Sequence, residues 1–252
     1  MSYYLYQFGT TDFARGDSVD GLGGDVPSDV AQTAGGAHFA YGSGVVPLGV
    51  HRIGHRGIYS ASVQASVDAM MGLLGQRLQL WRMRTADSAI QWKYARLLSC
   101  RWERDVAQSQ HADVVSEFEA VGYWKSASVA TPVSRTSTGT LTPTGGGKAR
   151  VYDAVITFTA SSTTTHTFRF QDSTNGIDWT FSASVTSGQV VTIDCGAMSV
   201  LNNTTNAYSS FTINAGHTSD YWCVVRPGSN SYTLTLSAGA GTFAVTWYDQ
   251  WV

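Results

Sequence analysis

The chain has 252 residues, 43% of them hydrophobic and 13% charged, and its 16 Lys and Arg against 18 Asp and Glu leave a net charge of −2. Eight Trp, 12 Tyr and 10 Phe supply the material of a core, which excludes a disordered chain, and the near-balanced charge excludes a protein built to hold a polyanion on clustered cations. No apolar run approaches the ~20 residues of a membrane span, and Met1-Ser2-Tyr3-Tyr4-Leu5-Tyr6 has neither the basic nor the apolar region of a signal peptide, so a protein made in the cytoplasm without membrane insertion is expected.

In chain order, Tyr3 to Phe8 predicts a first strand, and a Gly-rich loop with nine glycines and two prolines then runs from Ala14 to Gly49. Arg52 to Ala61 predicts a strand. Val63, Val67, Met70, Met71 and Leu74 recur at helical spacing, with Ser60 or Ser62 as N-cap and Gly75 as C-cap, so one short helix is expected here. Leu78, Leu80 and Arg82 alternate with Gln79, Trp81 and Met83 in a strand that turns at Ala86-Asp87-Ser88. The return strand places Ile90, Trp92, Tyr94, Leu98, Cys100 and Trp102 on one face, with Arg96 interrupting it. Asp113 to Trp124 is the last extended segment of this half.

From Thr131-Pro132 to Gly145-Gly146-Gly147 there is no periodic apolar pattern, and the stretch reads as a linker over 131–150 between a domain at 1–130 and one at 151–252. Residues 1–150 carry 14 basic and 12 acidic side chains; the remainder hold only Arg169 and Arg226 against six Asp, while Ser and Thr make up 41 of the last 127 residues. Such β-branched, weakly charged sequence favours strands. Strands are expected at Val151–Ala160, His166–Gln171, Trp179–Val185, Val190–Asp194, Phe211–Ile213, Tyr221–Arg226, Tyr232–Ser237 and Thr242–Trp247, separated by Gly, Asn and Ser turns, which together make a two-sheet sandwich.

The search for chemistry finds no catalytic constellation, no cofactor motif and no metal site. His51 and His55 lack the Glu of the helical zinc motif; Asp17, Asp20, Asp25 and Asp29 lack the alternation of a calcium loop. Arg15-Gly16-Asp17 reads as an ordinary turn. Glu117 and Glu119 share a strand face and read as solvated. Cys100, Cys195 and Cys223 are odd in number and in no metal or redox spacing; they read as free, buried thiols. The expectation is a protein that is not an enzyme.

The order of parts, a strand, a Gly-rich loop, one helix clipped between strands, a long hairpin and a Thr-rich sandwich, resembles the distal tail protein of siphophages along nearly the whole chain. Val151 to Phe158, Gly188-Gln189-Val190-Val191-Thr192-Ile193-Asp194, the Arg226-Pro227-Gly228-Ser229-Asn230 turn and the closing Thr246-Trp247-Tyr248 carry the likeness in the second half. Arg96 to Arg104 and Val115 to Trp124 carry it in the first. The resemblance implies a mainly β protein, with an N-terminal split β-barrel-like belt domain holding one short helix and a C-terminal galectin-like β-sandwich. It implies a homo-hexameric ring at the virion tail tip, joining the tail tube protein to the tail-tip hub protein, meeting the tape-measure protein and a receptor-binding protein, and leaving a channel for the genome.

Arginine suits packed interfaces better than lysine, and the Arg- and aromatic-rich strands from Trp81 to Trp102 have the composition of a protein interface. Trp81, Arg82, Arg84, Arg96 and Arg101 are its candidate residues, with Arg82, Arg84 and Arg101 expected to point outward. Three other readings stand beside it, the first being a different tail-tip or baseplate component, because fold alone does not fix function. A carbohydrate-binding module would use an exposed Trp platform drawn from Trp179, Trp222 and Trp251. A hydrolase with a β-sandwich appendage would need clustered ionisable residues, which the second half lacks.

Overall fold

The computed structural model describes residues 3–12, 50–59, 68–84, 89–104 and 112–251; for residues 3, 4, 6, 12, 50–59, 84, 101–104, 112–115 and 121 it describes the backbone alone. The expected loop 14–49, with its aspartates and the Arg-Gly-Asp triplet, the start of the helix at Ser60 or Ser62 and the turn at Ala86-Asp87-Ser88 lie outside the described residues. The chain divides into two compact units, residues 1–127 and 128–251.

The first unit is built on one antiparallel sheet from β1 (Tyr3–Phe8), β2 (Thr11–Asp12), β3 (Val50–Tyr59), β4 (Arg77–Arg84), β5 (Ile90–Arg104), β6 (Ala112–Val121) and β7 (Trp124–Ser126). Its strands run in the order β2-β1-β4-β5-β6-β3, with β7 against the start of β5. This path is open, so the described strands form no closed barrel. The fifteen-residue β5 holds the unit together: it pairs with β4 through its first half and with β6 through its second, bulging between Leu97 and Ser99. Of the expected helix, residues 68–71 are helical, and Met70 is its buried side chain. Gly75 ends the turn at φ +78, a left-handed conformation that glycine adopts freely. Its N–H donates to Leu97 O on β5 at 2.9 Å, which docks the turn on the sheet.

The second unit is a sandwich. Its strands are β8 (Val133–Arg135), β9 (Gly139–Leu141), β10 (Thr144–Gly145), β11 (Val155–Ala160), β12 (Thr164–Asp172), β13 (Ile177–Val185), β14 (Val190–Asp194), β15 (Ser199–Asn202), β16 (Thr205–Asn206), β17 (Phe211–Ile213), β18 (Gly228–Ser229), β19 (Tyr232–Ala238) and β20 (Gly241–Thr246). One sheet has the order β16-β15-β14-β11-β20-β8 and the other β17-β13-β12-β19-β9. Strict period-2 alternation sends Ile156 and Phe158, Phe168 and Phe170, Trp179 and Phe181, and Phe243 and Val245 into the space between them, all essentially without solvent contact. The chain passes from one sheet to the other at both edges, through β8 to β9 and through β16 to β17. The edge strands have only two or three residues, which leaves little exposed backbone to template pairing with another chain.

Two expectations are corrected. The stretch 131–150 is no linker: β8, β9 and β10 lie within it and belong to the second unit. Glycine makes this packing feasible, since a Cβ on Gly147 would stand 2.3 Å from Gln250 O and one on Gly145 2.4 Å from Arg226 O. The backbone donors of Lys148 and Ala149 both bond Gln250 O, at 2.8 and 2.9 Å. The segment 221–226, expected as a strand, joins neither sheet. Its buried carbonyls are taken by side chains instead, Trp222 O by the indole N–H of Trp179 at 2.8 Å and Val224 O by the Tyr232 hydroxyl at 2.7 Å, and Val225 forms an isolated bridge with Val151.

Candidate functional site

In the first unit, alternation along β4 and β5 divides the side chains between two faces. The inner face holds Leu80, Arg82, Gln91, Lys93, Ala95 and Leu97, all buried, with Phe118 and Ala120 of β6 opposite Leu97 and Ala95. The outer face holds Arg77, Gln79 and Trp81 against Arg96, Tyr94 and Trp92 in direct cross-strand register. The apolar residues that share one face of β5 in the sequence are therefore those of the outer face. Trp92 is buried there because Trp81 lies 6.2 Å and Tyr94 5.3 Å from its ring centre and Lys125 Nζ stands 5.4 Å over it. Tyr94 and Leu98 are exposed, and so are Met71 and Leu74 of the turn docked at Leu97. Arg77 stacks 5.2 Å over the Tyr94 ring, and Arg96 is exposed beside it, opposite Glu119 on β6. An aromatic stripe edged by arginines with apolar side chains left in solvent is the usual make-up of a protein-binding surface.

The five candidate residues fall in different places. Trp81 is half-buried and Arg96 exposed, both on the outer face. Arg84 and Arg101 lie at the ends of β4 and within β5, and their side chains are outside the description. Arg82 points inward, against expectation, and is 5% exposed. Its Nε donates to Gln91 Oε1 at 2.8 Å and its guanidinium lies 4.1 Å over the Trp124 ring. Lys93 approaches the same ring to 4.8 Å and donates to Gly122 O at 3.0 Å. Burial, and Arg82 beside it, lower the Lys93 pKa from 10.5 to about 7. Lys93 and Gln91 were missed, and Arg82 was assigned to the wrong face, although its alternation with Leu78 and Leu80 signalled an inward position.

The second unit presents a hydrogen-bonded polar cluster at Asp178. Arg169 holds its carboxylate through both Nε, at 2.8 Å, and Nη2, and Asn214 Nδ2 donates to it at 2.6 Å. The Arg169 guanidinium, with Asn214 and Gln171, keeps the Asp178 carboxyl below the ordinary carboxylate range. These bonds tie β12, β13 and the chain after β17 together, which is a structural task. Trp179 and Trp222 are buried, so neither forms the expected sugar-stacking platform; Trp251 is half-buried. Glu117 and Glu119 are partly buried on β6, and the side chains of His51 and His55 are outside the description. Among the described residues no group of three or more His, Cys, Asp or Glu is placed to hold a metal ion, and no helix is long and apolar enough to cross a membrane.

Residues 146–251 match the family model of the siphovirus-type tail component, C-terminal domain. No curated protein matches the chain. Among solved structures, the Dit protein of phage SPP1, described as a paradigm of the hub adsorption apparatus in phages infecting Gram-positive bacteria, aligns with 98% of this chain and 99% of its own at TM-score 0.62 and 11% identity. The phage P2 baseplate in its activated conformation aligns with all of this chain and 92% of its own, at TM-score 0.44 and 9% identity. The SPP1 likeness is one of fold, and it runs through both units.

Proposed function

We propose that this chain, a siphovirus tail component with a Dit-like fold, is the distal tail protein of its particle: a ring-forming, non-enzymatic hub that joins the tail tube to the tail tip. The observation that carries the reading is the extent of the fold likeness, which spans both units and not the sandwich alone. Six copies close a ring through the first units, leaving a channel through which the tape-measure protein and then the genome pass. The tube protein sits on one side of the ring, and the hub and receptor-binding proteins on the other. A cyclic ring needs heterologous contacts, in which two different patches of each subunit meet. The outer face of β4 and β5, with Trp81, Tyr94, Leu98, Arg77 and Arg96, is one of those patches. The apolar side chains that the isolated chain exposes there are covered in the ring.

Light scattering behind a sizing column, with electron micrographs of the peak, tests this. The expected result is a particle of six times the chain's 27.1 kDa with six-fold symmetry and a central hole. A chain that remains monomeric both alone and when mixed with the tube and hub proteins of the same tail overturns the reading.

A further inference from the structure

Cys195 and Cys223 lie in the second unit, and the proposed ring, which closes through the first, does not use them. Cys195 follows β14, and its N–H donates to Ala154 O at 3.1 Å. Cys223 stands two residues before Val225, which exchanges hydrogen bonds of 2.8 and 2.9 Å with Val151. One short stretch, 151–154, therefore binds both cysteine-bearing segments. The side chains meet in the sandwich core with 3% and 0% exposure, thiol beside thiol. Tyr232, anchored through its hydroxyl to Val224 O, packs against Cys223. Both are free cysteines in this structure. Cys100, the third, belongs to the first unit, where Ser116 Oγ donates to its sulfur at 3.6 Å.

A tail component is made in a reducing cytoplasm and works outside the cell, where thiols oxidise. We propose that Cys195 and Cys223 are a latent disulfide, a modification site that closes after the protein leaves the cytoplasm and staples the end of β14 to the 221–226 segment. The oxidant is a small disulfide such as oxidised glutathione. One thiol loses its proton, and the thiolate attacks a glutathione sulfur and expels the first glutathione thiolate. The second cysteine, deprotonated in turn, attacks the protein sulfur of the mixed disulfide and expels the second. Two protein thiols are oxidised to one S–S bond, one glutathione disulfide is reduced to two thiols, and the two released protons reside on those thiols at the end.

The site is suited to slow closure. The Cys223 sulfur beside it, together with burial, pushes the Cys195 thiol up, so its thiolate is scarce and attack on an oxidant is slow. Entry of the oxidant requires the 221–226 segment to lift. That segment joins neither sheet, but Trp222, Cys223, Val224 and Val225 are buried in the core, so such openings are rare and closure is slow. Once formed, the bond closes a loop between positions 195 and 223, which raises stability by restricting the unfolded chain.

The test is to unfold the full chain, refold it in glutathione buffers of graded oxidation, alkylate the remaining thiols and map the peptides by mass spectrometry. The expected product has Cys195 linked to Cys223 and Cys100 alkylated, although three pairings are open to three cysteines. Its thermal midpoint is several degrees above that of the reduced chain. In Cys195→Ala, which avoids burying a hydroxyl, reduction no longer moves the midpoint. Three alkylated cysteines under oxidising buffer, a mixture of all pairings, or glutathione retained on Cys195 or Cys223 in place of the cross-link would each overturn the proposal. Because this assay uses the single chain, its failure leaves the ring reading standing, and the absence of a ring leaves the disulfide standing.

Discussion

The Arg82 guanidinium lies 4.1 Å over the ring of Trp124, in the interior of the first unit, on the side of the sheet opposite the aromatic stripe it was expected to edge. Lys93 shares that ring from the next strand. Two cations on one indole satisfy cation–π attraction but repel each other and lose their water. The arrangement is held by the Gln91 and Gly122 acceptors.

Lys93 contributes a pH dependence whose direction follows from proton counting. Its folded pKa of about 7 lies below the unfolded value of 10.5, so between these the unfolded chain binds more protons and stability rises with pH. Below about pH 7 both states are protonated and the full penalty of the buried charge applies. Lys93→Met is expected to be more stable than the parent at pH 7 by about 1–3 kcal/mol, with the difference shrinking towards pH 10. Urea unfolding of both proteins across that range measures it; a constant difference refutes the assignment.

Arg82→Ala leaves Gln91 Oε1 without its donor and strips the Trp124 face, for an expected loss of about 2–3 kcal/mol. Arg96, exposed on the other face, is the contrast. Arg96→Ala is expected to change stability by about 0.5 kcal/mol or less, since surface substitutions rarely do more. Denaturant midpoints for the two variants separate an inward from an outward arginine.

Leu98 is 37% exposed, so Leu98→Asp is expected to leave the melting profile of the isolated chain nearly unchanged, while Tyr94→Asp, which also uncovers the Trp92 ring, lowers the midpoint without unfolding the chain. In an assembly that covers this face, each buries an unpaired carboxylate, and the ring is expected to dissociate to smaller species. Sizing columns run with parent and variants read the outcome directly. A ring that persists in both variants places the interface elsewhere.

Asn230 determines how the 226–230 turn closes. Its Oδ1 accepts from Arg226 N at 2.9 Å, and its Nδ2 reaches Arg226 O at 2.9 Å, Gly228 O at 3.0 Å and Pro143 O at 3.3 Å. Asn230→Asp keeps the shape and removes the donors, turning three attractions into contacts between oxygens. A loss of about 2–4 kcal/mol is expected, read as a lower thermal midpoint of the second unit.

Gly147→Val places side-chain carbon where Gln250 O stands 2.3 Å from a notional Cβ. The variant is expected to release 146–150 from the chain end, so that trypsin cuts after Lys148 and Arg150 while the parent resists. Equal digestion rates would mean that this stretch is not packed in solution.

Where one period runs uninterrupted, the sequence was enough. Val190–Asp194 is a strand as expected, and the sandwich follows from alternation in the Thr-rich half, because a strand with one buried face must alternate. Short strands escaped: β8, β9, β10, β15, β16 and β18 have two to four residues, too few to display a period. The segment 221–226 shows the converse. Its composition is that of a strand, yet Trp179 and Tyr232, distant in sequence, supply the partners that a sheet would have given.

On β5 the sequence determined which residues share a face, since register along a strand is a local property. Which face met the core was decided by tertiary structure, because that depends on what the rest of the chain brings to each side. Leu5, Phe8 and Phe118 are buried on the side that carries Gln91 and Lys93, and the side with Tyr94 and Leu98 was left open. Polar side chains can be buried wherever acceptors and an aromatic ring await them, and apolar ones can remain exposed on a surface suited to a partner. Pattern alone distinguishes neither case from its opposite.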